Sequence, residues 1–171
     1  MSLRKTIGVA ASVVAMSVGL IGTAEAAPRI VTYNSSNTGE FQAAIDKGAQ
    51  VWNASVANVQ FRKVTGTANV MVSVDNQWPR AYVTSLGRGR WVMGRQAVNE
   101  GHDTVRISSH EFGHLLGLPD RRTGLCTDLM SGASAGTSCK NPNPNTREKA
   151  EVEANFRSMV TVQPTTFADA A

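Results

Sequence analysis

The sequence predicts a single α+β domain, in which a strand-rich first half is backed by one long helix and followed by two further helices around a loop-rich stretch. Three observations carry this. Apolar residues recur at i, i+3, i+4 and i+7 spacing through residues 41–55; β-branched runs punctuated by glycine occupy residues 59–93; helical periodicity returns at 104–116 and again at 145–159. A chain of 171 residues suits one domain with one core, and no internal repeat or second domain is visible.

The N-terminus reads as an address rather than as part of the fold. Arg4 and Lys5 precede an apolar run from Ile7 to Ile21, and Ala24-Glu25-Ala26 supplies the small residues of a cleavage site. Residues 1–26 are therefore expected to be a secretory signal peptide and residues 27–171 the mature domain. The apolar run of roughly 15 residues is short of the ~20 that span a bilayer, so no membrane attachment is expected after cleavage.

In the mature part, Arg29–Tyr33 alternates as a strand. Asn37 with Glu40 three residues on resembles a capping box, and Phe41, Ala44, Ile45, Gly48, Val51, Trp52 and Ser55 trace one face of a long helix, with Trp52 in the core. Val59–Val64 and Asn69–Val74, separated by Thr65-Gly66-Thr67, read as neighbouring strands; Ala81–Ser85 and Arg90–Met93, around Gly87-Arg88-Gly89, read as another pair. A twisted sheet of four or five strands follows, its last edge near Arg90–Met93, where an extended peptide can add a strand. A second helix, Thr104–Leu116, starts at the cap residue Asp103 and turns Phe112 and Leu115 inward. Residues 141–145, Asn-Pro-Asn-Pro-Asn, break the chain. Asn145 and Glu148 then cap a last helix that buries Val152, Phe156 and Met159, and residues 164–171 read as a flexible tail.

The chemistry concentrates in His110-Glu111-Phe112-Gly113-His114-Leu115-Leu116-Gly117-Leu118-Pro119-Asp120. Residues four apart stack on a helix, so His110 and His114 can turn ring nitrogens toward one metal ion. Glu111 is rotated roughly 100° around the helix, beside the metal rather than on it, where a general base belongs. A catalytic zinc needs a third protein ligand and an open position. Gly117 can end the helix in a left-handed conformation and Pro119 cannot continue it, so the chain can return Asp120 to the ion. His102 is a poorer third ligand, because its eight residues before His110 amount to ~12 Å of helical rise. Glu148, Glu151 and Glu153 are further rivals, but with Arg147 and Lys149 they read as a solvated, capping helix face.

HExxHxxGxxD, followed ten residues after Asp120 by Met130 in Leu129-Met130-Ser131-Gly132, resembles the metzincin zinc proteases. The aspartate third ligand, the small size and the flanking Cys126 and Cys139 resemble the snapalysin family of small neutral metalloproteases still more closely, over about Ile30 to Val160. The resemblance implies a metzincin-like fold and one catalytic zinc on His110, His114 and Asp120. It implies Glu111 as catalytic base, Met130 in the methionine turn beneath the metal, and a Cys126–Cys139 disulfide. It also implies calcium near Asp103, which serves equally as the helix N-cap. The family's tyrosine two residues after the aspartate is here Arg122, which can stabilise an oxyanion, contact substrate or point into solvent. The two cysteines, alone in the mature part and lacking CxxC spacing, independently read as a disulfide in a secreted chain.

The formal net charge of +4 comes from scattered basic residues, and the cluster Arg88, Arg90, Arg95 is interleaved with glycine rather than base-stacking aromatics, so no nucleic-acid partner is expected. The expected partner is a polypeptide substrate, aromatic residues after the cut being favoured on the resemblance, and the expected state a secreted monomer. The two rival functions are a metzincin-fold binding module with weak catalysis, motivated by Arg122, and a zinc amidase acting on a non-peptide amide.

Overall fold

A computed structural model describes residues 27–168; the expected signal peptide, 1–26, and residues 169–171 lie outside the described residues. The domain is α+β, as expected, with helices packed against one mixed sheet of six strands. The strands are β1 (Arg29–Asn34), β2 (Val59–Lys63), β3 (Val70–Asp75), β4 (Arg80–Ser85), β5 (Arg88–Gly94) and β6 (Thr165–Ala168). Their spatial order is β2-β1-β3-β5-β4-β6. The four strands β2, β1, β3 and β5 run parallel; β4 is antiparallel to β5, and β6 antiparallel to β4.

The order corrects two expectations. β2 and β3 are not neighbours, because both pair with β1. Tyr33 faces Lys63 on one side and Val70 on the other, so β3 starts at the level where β2 stops and a short loop suffices to pass β1. Nor is Arg90–Met93 an edge. β5 lies between β3 and β4, with Trp91, Val92 and Met93 buried, and so cannot add a peptide strand. Local pattern identifies the β4–β5 hairpin but not which of its strands turns inward.

The long helix α1 (Gln42–Ser55) buries Ile45, Gly48, Val51 and Trp52 as its periodicity requires. Its start differs from the expected capping box. A 3-10 turn over Gly39–Phe41 precedes it without a side-chain cap, and Glu40 bonds Arg95 instead. A short helix α2 (Arg95–Asn99) leads from β5 toward helix α3 (Thr104–Leu115). α3 and α1 meet at Gly48, where an added Cβ would stand 2.6 Å from the Ser108 Cβ. Trp52 Nε1 then donates to the Ser109 carbonyl at 2.8 Å, tying the helices together. Phe112 projects from α3 into an aromatic cluster with Tyr33, Phe61 and Trp91, at centroid distances of 5.4, 4.5 and 5.3 Å.

The last helix, α4 (Thr146–Ser158), carries the complete Asn145–Glu148 capping box and buries Val152 and Phe156. Met159 does not join that stripe; it closes the helix in a left-handed conformation at φ 50 and is 56% exposed. The expected tail is also corrected, since Thr165–Ala168 forms β6. Its Thr-Thr-Phe content favours a pleated strand, and the edge of β4 offers unpaired backbone groups. Among the described residues, no helix is long and apolar enough to cross a membrane.

Candidate metal centre

Asp103 fixes where α3 begins. Its Oδ1 accepts from the backbone N–H groups of Val105 and Arg106, at 3.0 and 2.9 Å, satisfying two donors of the first turn. From that start the helix brings His110 and His114 onto one face, their ring centroids 4.7 Å apart. Gly117 then reverses the chain at φ +91. The Leu118 N–H donates to the Gly113 carbonyl at 3.1 Å and the Gly117 N–H to the His114 carbonyl at 2.9 Å, the paired bonds of a Schellman ending. The reversal returns Asp120 to the histidines.

The three side chains converge as the spacing predicts. His110 Nε2 and His114 Nε2 are 3.1 Å apart, and Asp120 Oδ1 is 3.2 Å from the first and 3.5 Å from the second. Ligands of tetrahedral zinc at 2.0–2.1 Å would be separated by about 3.3 Å. The donors' orientation fits a cation as well. Nδ1 of His110 lies 3.0 Å from the Leu129 carbonyl, and Nδ1 of His114 lies 2.8 Å from the Leu118 carbonyl. A carbonyl accepts, so each Nδ1 carries the hydrogen and each Nε2 presents a lone pair to the same point. Two lone pairs and a buried carboxylate oxygen facing one another are mutually repulsive without a positive charge between them. Burial holds His114 below its usual imidazole value, which favours the neutral form. Burial pushes the Asp120 carboxyl up, but the two imidazoles beside it more than offset this and hold it below the ordinary carboxylate range.

Glu111 follows His110 on α3 and is fully buried. Met130 lies under the same helix. A Cβ at Gly113 would stand 2.7 Å from its sulfur, so the glycine in the motif makes room for that methionine. The bridge between Cys126 and Cys139 closes the loop that contains this turn, as expected. The Arg121 N–H donates to the Met130 carbonyl at 2.8 Å, joining the Asp120 segment to the turn.

The rival ligands stand elsewhere. His102 packs edge-on against Trp78, 5.6 Å between centroids. Glu151 pairs with Arg121, and Glu153 accepts from the backbone of Ala57 and Asn58 ahead of β2. Glu148 corrects the expectation of a solvated face. It is fully buried, and its two carboxylate oxygens accept from the N–H groups of Leu129 (3.2 Å), Met130 (2.7 Å) and Asn145 (2.7 Å). The capping pattern was its only trace in the sequence. No local pattern marks Arg106: from α3 it donates to the carbonyls of Asp128 at 2.8 Å and Asn141 at 2.6 Å, holding the disulfide loop from the other side.

Arg122 turns toward the site rather than fully into solvent. At φ 46, with its side chain 42% exposed, it places Nη2 3.6 Å from Asp120 Oδ2 and 3.0 Å from the Ala168 carbonyl. Beside it, the ring of Phe167 from β6 lies flat on His114, 4.1 Å between centroids and 5° between planes. No periodicity marks that phenylalanine in the sequence, because the strand carrying it has no partner nearby in the chain.

Residues 28–157 match the model of the Streptomyces extracellular neutral proteinase family. The chain is similar to an extracellular small neutral protease of Streptomyces caespitosus, 42% identical over 125 residues that cover 72% of this chain and 94% of that protein. It is also similar to proteins of the same name from Streptomyces lividans (37% identity, 74% of this chain) and Streptomyces coelicolor (34%, 72% of this chain). The chain spans just over half of those two, 56% and 57%. With a family match over most of its length and a donor cluster inside it, the chain belongs to the Streptomyces extracellular neutral proteinase (M7) family.

Proposed function

We propose that the mature chain is a secreted, monomeric zinc endopeptidase that hydrolyses polypeptides, with a preference for aromatic residues after the cut. The observation that carries the zinc is the convergence of His110 Nε2, His114 Nε2 and Asp120 Oδ1 within 3.5 Å of one another, both imidazoles being turned by backbone carbonyls. A zinc ion held there supplies positive charge that polarises a carbonyl oxygen and lowers the pKa of a water to about 7.

The chain's residues do the rest. Glu111 accepts a proton from the attacking water as its oxygen bonds to the scissile carbonyl carbon. It passes that proton to the amide nitrogen as the C–N bond breaks. Arg122, 3.6 Å from the third ligand and already bonded to a backbone carbonyl, orients the peptide and offsets negative charge on its oxygen. Met130 and the loop bridged by Cys126 and Cys139 form the floor, with Glu148 and Arg106 holding their backbone. Calcium rests on the resemblance alone, and Asp103 serves equally as the helix N-cap: its Oδ1 already caps α3, which leaves only the other carboxylate oxygen for an ion. Residues 1–26 direct export and are removed, which N-terminal sequencing of the secreted protein reads directly.

Metal analysis with peptide-library cleavage tests this reading. About one zinc per chain with cleavage is expected, and a chain that cleaves peptides equally well after complete zinc removal contradicts it. Arg122 at the family's tyrosine position favours a second reading, a metal-holding module that binds peptides with little turnover. Stoichiometric zinc without cleavage across the library supports that alternative, while release of acetate from acetylated amino sugars would point to a non-peptide amidase.

A further inference from the structure

The segment after α4 has no place in the family match, which ends at residue 157, yet the structure lays it across the metal centre. β6 pairs antiparallel with β4 in the register Arg80↔Ala168, Ala81↔Phe167, Tyr82↔Thr166 and Val83↔Thr165. Phe167 stacks on the ligand ring of His114, and Arg122, beside Asp120, holds the carbonyl of the next residue. This is how an extended peptide binds a sheet edge: backbone pairing, one side chain placed, one carbonyl fixed.

Its burial is that of a ligand, not of a core strand. β1 and β3 bury alternate residues fully, whereas in β6 Thr165, Thr166 and Ala168 are exposed and only Phe167 is half-buried. The connection from α4 is exposed at 160, 161, 163 and 164. Of residues 160–168 only Val162 and Phe167 pack against the core, and both only partly buried, so the segment belongs to the low-stability end of the structure.

We propose that Thr165–Ala168 is a resident peptide that occupies the chain's own polypeptide cleft, between β4 and the His110–His114–Asp120 cluster, and competes with substrate for it. The proposal rests on the reading of this site as a peptide-cleaving centre. A closed tail lowers apparent affinity for peptides by the fraction of molecules in which the cleft is open. Exported chain is then self-restrained until the tail is displaced or clipped.

The test uses the full mature chain, zinc-loaded and carrying Glu111→Gln so that nothing is cut, and a fluorescent extended peptide with a central phenylalanine. Adding Phe167→Ala should tighten peptide binding about tenfold or more in anisotropy titrations. Adding Phe167→Tyr should leave affinity at the level of the intact tail, because a tyrosine ring also stacks. An unlabelled synthetic peptide of residues 163–171 should compete for the Phe167→Ala chain. Unchanged or weaker binding after Phe167→Ala overturns the proposal, as does failure of all chains to bind. Hydrolysis by the Glu111 chain is scored separately: tightened binding without hydrolysis sinks the protease reading alone, and hydrolysis with unchanged binding sinks the tail alone.

Discussion

At the scale of single residues, the site depends on groups that aim other groups. His110 and His114 aim Nε2 at one point because the Leu129 and Leu118 carbonyls take their Nδ1 hydrogens. Glu148 spends both carboxylate oxygens on the N–H groups of the methionine turn and its own helix cap. Glu148→Gln would set an amide N–H₂ against one of those donors and leave it unpaired in a buried site. We predict a loss of about 2–3 kcal/mol, read by urea unfolding of the zinc-loaded chain. Asp120→Ala should leave two imidazoles and lower zinc affinity well over tenfold, measured by chelator competition, with α3 intact by circular dichroism. The convergence of His110, His114 and Asp120 is legible in the sequence because a helical i, i+4 spacing and one glycine dictate it. The capping pattern shows Glu148 but not its grip on the Met130 turn, and nothing local shows Arg106 or Phe167, because these contacts reach 18 or more residues along the chain.

Among elements, helices follow from local pattern and strand order does not. Periodicity located α1, α3 and α4 within a residue or two, and the capping box at Asn145 formed as written. The sheet's order depends on which edges find each other in three dimensions, so local pattern shows neither that β5 lies inside the sheet nor that β6 joins its edge. Two elements meet closely enough to make sharp predictions. Gly48→Ala would drive a methyl into Ser108 at the α1–α3 crossing and should destabilise by about 1–3 kcal/mol, lowering Tm by several degrees. Replacing Cys126 and Cys139 together by serine frees a loop of sequence separation 13 and should cost about 3 kcal/mol, with zinc affinity falling as the floor loosens.

For the whole molecule, the sheet supplies a rigid frame, the two packed helices α1 and α3 fix the ligand face, and the loop between α3 and α4 closes it from below. On the proposed reading, metal binding and folding are linked: an ion held by the cluster would join α3 to the Asp120 segment, which is bonded to the Met130 turn. A ligand that binds only the folded chain stabilises it by mass action, so a chelator should lower Tm and added zinc restore it, the shift growing with free zinc. The central claim is that this frame holds zinc for peptide hydrolysis with Glu111 moving the proton. The most direct measurement compares the mature chain with Glu111→Gln for bound zinc and for casein hydrolysis. The account predicts about one zinc in each and a loss of at least ~100-fold in hydrolysis for the variant; casein hydrolysis retained by the zinc-loaded Glu111→Gln chain would contradict it.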